Sequence, residues 1–567
     1  MLRASVREKI EHWLSDSFDD ETKQAIRKMS EAELNEAFGK DLSFGTAGMR
    51  GIVGPGTNRI NIYTIQFATQ GLANYILSQP TKVPKRVVIG YDSRLSSPEF
   101  AKETARVLLG NGIEAVLCKT CMPTPFVSFA CREKNACAAV MITASHNPPE
   151  YNGYKVYWSD GAQVIEPHAS NIVRHVEAIT SPAKVTIGNL DDPRFIQTDN
   201  TLIESYLKAI YSLQQCRDQN HAHGHALKIV YTPLHGTGGM LMDKALECWD
   251  FTNFNYVKSQ QKPDGHFPTT KLPNPENPDS LQLGIEQLKE SNADLLIATD
   301  PDADRLGVVV MHHAEPRFLT GNEIAALCTE HVLKKKAQHD TLPSNGAIVK
   351  SIVTTDLLPA IAKTYDIPCI NVLTGFKYIG ALIHEWEKTG EYTFIFGAEE
   401  SHGYLLGTHS RDKDGIVAGC LIAEIALDAK LENQTLIDRL EAIYQRYGYY
   451  RSKLISIACE SGSEDMLAKI GELRAEPPKE LAGIPVISIE DYQSGKSRNL
   501  QTGHLKKLSL PQANVLSFHL EGDIKIIIRP SGTEPKLKIY GLARHPTSAQ
   551  SADKTLTATL NHMKSLF

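Results

Sequence analysis

Short, nearly unbroken apolar runs recur along this chain: RVVIGYD (86–92), CAAVMIT (137–143), LKIVYT (227–232), ADLLIAT (293–299), GAIVKSI (346–352) and YTFIFG (392–397). Such runs predict strands buried on both faces. Amphipathic stretches of helical pattern separate them. In PEFAKETARVLLGNG (98–112), Pro98 suits the first helical position, and Gly110 and Gly112 suit the end. Strand–helix alternation over this length predicts α/β architecture with largely parallel sheets. The first roughly 40 residues read as a charged helical extension. The last roughly 130 differ, with polar connections (Glu460–Glu464, Asp491–Asn499) and paired strands around FHLEGDIKIIIRP, the pattern of a separate α+β domain. Boundaries near 198, 314 and 436 divide the chain into 1–198, 199–314, 315–436 and 437–567.

Composition narrows the reading. At 567 residues, 42% hydrophobic and 22% charged, the chain is too long for one core, which stops growing near about 250–300 residues. A net charge of -6 gives no reason to expect nucleic acid, so an anionic ligand must be held by local basic residues. The opening MLRASVREKIEHWL carries Arg3, Arg7, Glu8 and Lys9 where an export signal needs an apolar run. No apolar stretch approaches the ~20 residues of a membrane span. The ten cysteines are dispersed, as in a reducing compartment, and the expected location is the cytoplasm.

Four loops carry the candidate chemistry. In MITASHNPPEYNGYKVYW (141–158) a buried strand ends at Thr143 and Ser145 follows, beyond the carboxyl end where ligands of α/β sheets gather. Ser145 is a candidate covalent phosphate carrier, with His146 and Lys155 to move protons or hold phosphate oxygens. The plainer reading is a turn serine capping a backbone amide. In ATDPDADRLGVVV (298–310), Asp300, Asp302 and Asp304 are spaced by two, so in an extended segment all three project to one side. Their repulsion calls for a cation, and hard oxygen ligands suit Mg²⁺ or Ca²⁺. An EF-hand is excluded, since Arg305 and Met311 stand where glycine and glutamate belong; Mg²⁺ is expected because it keeps positions open for phosphate oxygens. In FGAEESHGYLLG (396–407), Glu399, Glu400 and Ser401 offer hydrogen bonds to sugar hydroxyls or form an acidic helix start. In IIIRPSGTEPKLKIY (526–540), Arg529 with Ser531, Gly532 and Thr533 reads as an anion nest with no P-loop pattern.

Together these loops resemble the α-D-phosphohexomutase family, which includes phosphoglucomutase and phosphomannomutase. The likeness runs from FGTAGMRG (44–51) to RPSGTEP (529–535), and TASHNP and RPSGTEP are its most specific strings. The extended forms TASHNPPEYNGYKVYW and FGTAGMRGIVGPGTNRIN look closest to the branch with longer bacterial phosphoglucomutases and phosphopentomutase-like enzymes. The resemblance implies three similar α/β domains with mixed sheets and a TATA-binding-protein-like C-terminal α+β domain around a central cleft. It implies Ser145 as phosphoserine and metal ligand, and Asp300, Asp302 and Asp304 as the other ligands of one Mg²⁺ per chain. Glu399 and Ser401 then recognise sugar hydroxyls, and Arg529, Ser531, Gly532 and Thr533 hold the non-reacting phosphate. Arg50, His146, Lys155 and Arg305 match the family's active-site basic residues. Lys377, in TGFKYIG (374–380), and Lys413, in RDKDG, match further substrate contacts.

The expected activity is interconversion of hexose 1-phosphate and hexose 6-phosphate, on glucose or mannose, through phosphoserine and a sugar bisphosphate intermediate. Lys155 with a lowered pKa is the expected base. A phosphopentomutase or a glucose 1,6-bisphosphate synthase is the alternative, and a silent sugar-phosphate-binding protein is a third. Phe376 stands where hexose-specific members often have tryptophan, Pro301 where many have glycine, and Ala398 is inserted into the commoner GEES form. No nucleic-acid or membrane partner is expected, and the chain is expected as a monomer or weak homodimer. HAHGH (221–225) reads as a surface loop, Cys118 and Cys121 as ordinary partly buried cysteines, and LHGTGGM (234–240) fails the dinucleotide register at Leu241.

Overall fold

The computed structural model describes residues 2–42, 44, 48–80, 84–458, 463–530 and 536–567. They fall into two compact units. One comprises Met1–Leu319, Ile379–Glu391 and Ser401–Leu431; the other comprises Thr320–Tyr378, Tyr392–Glu400 and Glu432–Phe567.

The first unit holds two mixed sheets. In one, Ala138–Ile142 is central and buried throughout, flanked by Arg86–Tyr91 in parallel and Tyr151–Trp158 in antiparallel. Arg86–Tyr91 pairs in parallel with Glu114–Leu117, which pairs in parallel with Phe195–Gln197, and Met49–Ile52 closes the other edge against Tyr151–Trp158. Ile65, Leu72, Leu108, Val140 and Ile142 share the core on this sheet. The helix Ser97–Gly110 begins with proline in its first turn, as the sequence pattern predicts. Three short helices, Ala4–Trp13, Asp20–Arg27 and Glu31–Phe38, form the N-terminal extension around Trp13, Phe18 and Phe38.

The second sheet of this unit is built on Leu295–Thr299. It runs parallel to Ile229–Thr232, which is parallel to Phe254–Tyr256, and antiparallel to Leu306–His312, which pairs with Glu315–Leu319. The helix Gly415–Leu431 is buried from Gly415 to Ala429 and packs on this sheet. Such a helix is mostly apolar because no face meets water, and its buried Glu424 accepts from the amides of Gln215 and Cys216 and from Asn220 Nδ2.

In the second unit, Gly346–Ser351 is fully buried between two parallel neighbours, Cys369–Val372 and Thr393–Glu399. Its C-terminal part is an antiparallel sheet in the order Tyr449–Ala458, Lys536–His545, Ile524–Pro530, Leu516–Leu520, Ile484–Asp491, Lys496–Asn499, Leu505–Lys507. The helices Ser463–Ala475 and Ala549–Ser565 share its core through Ile470, Leu473, Leu556 and Leu560. The predicted strand pair around FHLEGDIKIIIRP is the hairpin Leu516–Leu520 and Ile524–Pro530. Among the described residues no helix is long and apolar enough to cross a membrane.

Candidate active site

The parallel strands Arg86–Tyr91 and Ala138–Ile142 end side by side, with Tyr91 opposite Ile142. Both strands therefore deliver their next residues to the carboxyl end of the sheet. Ser145 emerges there, 3% exposed, with a left-handed backbone at φ 52°. A non-glycine residue in that region is uncommon and persists only where its surroundings hold it. The Ser145 amide donates to Thr143 Oγ1 at 2.8 Å, and Arg94 Nη2 donates to the Ser145 carbonyl at 2.7 Å. Its hydroxyl donates to Asp300 Oδ2 at 2.7 Å and lies 3.2 Å from His146 Nδ1.

The acidic loop is a hairpin connection between Leu295–Thr299 and Leu306–His312, with Thr299 opposite Leu306. The alternating extended conformation expected for it is not what forms. The loop turns instead: Ala303 takes φ 54° and its amide donates to the Asp300 carbonyl at 2.9 Å. Asp300 Oδ1 then accepts the amides of Asp304 and Arg305, each at 3.1 Å. Pro301 and the tight turn gather the three carboxylates more closely than a strand would. One oxygen from each lies within 4.8 Å of the others, and all three residues are buried. Asp302 Oδ1 and Asp304 Oδ1 are buried with no hydrogen-bond partner among the described residues. Burial, then Asp302 and Asp304, pushes the Asp300 carboxyl well above the usual carboxylate range. Bare carboxylate oxygens in a dry, crowded site are costly unless a cation takes them, so the residues present fit a divalent metal.

Basic groups flank this cluster. Lys155 Nζ donates to Asp302 Oδ2 at 2.7 Å and to Asp304 Oδ2 at 3.3 Å, and Lys413 Nζ lies 3.1 Å from the same Asp304 oxygen. The lowered pKa expected for Lys155 is not found. Burial favours its neutral form, but Asp302 and Asp304 outweigh burial and hold the amine above its ordinary value. His146, pressed by burial and then by Arg305 and Arg50, is held well below the ordinary imidazole range. Arg50 Nη1 reaches into the serine loop, donating to Asn147 Oδ1 at 2.7 Å. Arg305 is paired with Glu276 and lies 4.0 Å from Asp304 Oδ1. Ser401 is partly exposed in the turn before strand Gly403–Leu406, and the adjacent His402 is buried on the Leu306 carbonyl at 2.9 Å. Burial depresses the His402 imidazole to about 4.

The second unit carries the remaining candidates. Glu399, buried at the end of strand Thr393–Glu399, accepts the amide of Gly375 at 2.7 Å and so ties the TGFKYIG segment to the GAEES loop. Glu400 accepts from Ser351 Oγ at 3.1 Å and Thr354 Oγ1 at 3.3 Å. Lys377 stands in the first turn of helix Phe376–Thr389, its amine 5.2 Å from the centre of the Tyr378 ring. Arg529 sits near the end of strand Ile524–Pro530, and its buried Nε has no hydrogen-bond partner among the described residues. Ser531, Gly532 and Thr533 lie outside the described residues.

Three contributors escape a motif search. Thr124, first residue of helix Thr124–Glu133, grips the acidic loop from the neighbouring sheet: its amide and hydroxyl donate to Asp302 O and Oδ2, each at 2.8 Å. Nothing in MPTPF marks it except a helix start beside prolines. Asp92 and Arg94 follow strand Arg86–Tyr91 directly, and charged residues at a buried strand's end were the available signal. The LHGTGGM segment also finds a place here. Thr237 donates its amide and hydroxyl to the Pro301 carbonyl at 2.8 and 2.9 Å, and a Cβ on Gly236 would lie 2.3 Å from Pro301 Cα. Gly236→Ala must therefore displace the acidic loop, at about 1–3 kcal/mol. The concentration of divalent cation needed for half-maximal thermal stabilisation should rise about tenfold, read by a melting titration.

HAHGH is not a loop. His221 and His223 occupy the last turns of helix Arg217–His223, and a short 3-10 turn follows, because the segment continues a helix docked through buried Asn220. All three histidines are exposed. Cys118 is a free, buried thiol and Cys121 a free, half-buried one; burial pushes each up to about 12.

Models described as phosphoglucomutase/phosphomannomutase alpha/beta/alpha domains I, II and III match residues 41–183, 204–313 and 320–447. A phosphoglucomutase of Staphylococcus saprophyticus is 35% identical over 536 residues, 93% of this chain and 95% of that one. A phosphoglucomutase of Staphylococcus epidermidis is 37% identical over 93% of this chain and 95% of that one. Among solved structures, a phosphomannomutase-like protein of Thermus thermophilus superposes with a TM-score of 0.68 at 21% identity, over 93% of this chain and 99% of that one, and shares the fold. With three consecutive domain models covering most of its length and relatives alike almost from end to end, the chain belongs to the phosphoglucomutase/phosphomannomutase family.

Proposed function

We propose that this enzyme is a hexose-phosphate mutase that interconverts hexose 1-phosphate and hexose 6-phosphate, with Ser145 as its phosphoryl carrier. The observation that carries this reading is the Ser145 hydroxyl, 2.7 Å from one member of a buried trio of carboxylates. The staphylococcal relatives named phosphoglucomutase supply the substrate class.

Asp300, Asp302 and Asp304 would hold the metal, and their all-oxygen donor set suits Mg²⁺. When bound, Mg²⁺ supplies neutralisation of charge on the phosphoryl oxygens. The chain's own residues do the rest. Ser145 carries the phosphoryl group as a slowly hydrolysed ester. A sugar hydroxyl attacks phosphorus in line; the bond to Ser145 Oγ breaks as the bond to the sugar oxygen forms, the proton given up by the sugar hydroxyl is returned to Ser145 Oγ, and a sugar bisphosphate results. The bisphosphate turns over, its other phosphoryl group returns to Ser145, and the isomerised monophosphate leaves. Lys155 and Lys413 hold positive charge beside the carboxylates, and Arg50 and Arg305 supply it at the loop's rim. Glu399 and Ser401 accept and donate hydrogen bonds to sugar hydroxyls, with Lys377 alongside. Arg529, with Ser531, Gly532 and Thr533, grips the phosphate that is not reacting.

Pentose phosphates are the second reading, with Phe376 buried in the TGFKYIG segment that would face the sugar ring. A panel of glucose, mannose and ribose 1-phosphates, each with and without a sugar bisphosphate, separates the two. The account expects kcat/KM for a hexose phosphate to exceed that for ribose 1-phosphate by at least about tenfold. A preference for ribose 1-phosphate overturns the hexose assignment, and no turnover of any of them overturns the mutase.

A further inference from the structure

The serine loop has few backbone hydrogen bonds of its own: the Asn147 amide donates to the Ala144 carbonyl and the Tyr151 amide to the Pro148 carbonyl, each at 3.1 Å. Pro148 and Pro149 have no N–H to donate, and the carbonyls of Ser145, Asn147, Pro148 and Tyr151 all turn inward. They converge on one guanidinium. Arg94 Nη2 donates to Ser145 O at 2.7 Å and Asn147 O at 2.5 Å. Nη1 donates to Pro148 O at 2.7 Å and Tyr151 O at 2.8 Å, and Nε to Asp92 Oδ2 at 3.2 Å. A guanidinium has five N–H donors in a rigid plane, and here every one is used. Arg94 is 1% exposed, and the Phe267 ring lies 5.2 Å from its carbon. Gly265 lets that covering segment approach: a Cβ there would sit 2.5 Å from the Leu95 amide and 2.8 Å from Arg94 Cα.

Asp92 closes the arrangement. Fully buried, it accepts from the Arg94 amide at 3.0 Å, from Ser97 Oγ at 2.7 Å and from Thr143 Oγ1 at 2.7 Å. Thr143 Oγ1 in turn accepts the Ser145 amide at 2.8 Å. The amide of Ser145 is thus tied to Asp92 through Thr143, and its carbonyl is tied to Asp92 through Arg94. Both routes act on the one residue of the loop whose backbone is left-handed, and neither side chain bonds the Ser145 hydroxyl.

We infer that Arg94 and Asp92 are positioning residues for phosphoryl transfer: they lock Ser145 in its left-handed conformation and so aim Oγ at the carboxylate trio. This rests on the reading of Ser145 as phosphoryl carrier. An apolar anchor would serve packing alone, and a buried charge is kept only where it is paired and hydrogen-bonded. The arrangement sets a geometry, and a misplacement of about 1 Å at a reacting atom costs about 100-fold in rate.

The test compares wild type with Arg94→Lys, whose ammonium has three donors and no planar fork, and with the isosteric Asp92→Asn. Each is assayed as the Mg²⁺-loaded full chain, well below its melting temperature, for kcat and KM on glucose 1-phosphate. Phosphate on Ser145 is followed by peptide mass after mixing with glucose 1,6-bisphosphate. For Arg94→Lys, kcat should fall at least about 100-fold with KM within about threefold, and the rate of Ser145 phosphorylation should fall in step. Asp92→Asn should lose about tenfold in kcat with KM again unchanged, and it carries the test alone if Arg94→Lys does not fold. Folded variants with wild-type kcat, or with losses confined to melting temperature, overturn the inference while leaving the carrier intact. Wild-type turnover with no phosphate on Ser145 overturns the carrier reading itself, and the inference with it.

Discussion

Ser145→Ala should turn over hexose phosphate at no more than about 10⁻⁴ of the wild-type rate, because no other group inherits the nucleophile's task. The same variant should keep its fold. The lost hydrogen bond to Asp300 is worth only about 0.5–1.5 kcal/mol, and the clamp on the loop's carbonyls and on the residue's own amide does not involve the hydroxyl. Circular dichroism and melting should therefore match wild type closely while turnover disappears. Activity within tenfold of wild type would remove Ser145 from the chemistry, with about 10⁴-fold being the loss demanded.

Asp300→Asn separates catalysis from stability. Its Oδ1 accepts the amides of Asp304 and Arg305, a task an amide oxygen performs equally well. What the substitution removes is one negative charge from a buried trio. Without divalent cation, that relieves repulsion, so the melting temperature in the presence of chelator should stay level or rise. With saturating Mg²⁺, wild type should gain stability by mass action and the variant should gain far less. Activity should fall about 10³-fold, the scale of several kcal/mol of charge stabilisation lost from the transition state. A variant that keeps both the Mg²⁺-induced shift and full activity would show that the trio does not hold the metal.

The sequence carried the chemistry of this site more plainly than its geometry. Buried strands and their order of appearance are legible because runs such as AAVMI and LLIA have no polar positions, and the loops beyond them stand out by contrast. Asp300, Asp302 and Asp304 were identifiable as a cluster from spacing alone. Their conformation was not, since the alternation rule assumes an extended chain and Ala303 turns left-handed instead. Lys155 shows the same limit. Its position in TASHNPPEYNGYKVYW is read from the motif, but its charge state is set by Asp302 and Asp304, almost 150 positions away in sequence. Thr124 and Arg94 act on loops remote in the chain, through backbone carbonyls and a single carboxylate, and no local pattern announces such partners. The exposed histidines of HAHGH illustrate the converse: a conspicuous string that belongs to an ordinary helix end.

Direct localisation of the phosphoryl group is the sharpest test of the account. The Mg²⁺-loaded protein is mixed briefly with glucose 1,6-bisphosphate, quenched, and its peptides are weighed. The account predicts one added phosphoryl group on the peptide containing TASHNP, placed on Ser145 by fragmentation and discharged when excess glucose 1-phosphate follows. Turnover proceeding with that peptide unmodified, or with the label on another residue, would contradict it.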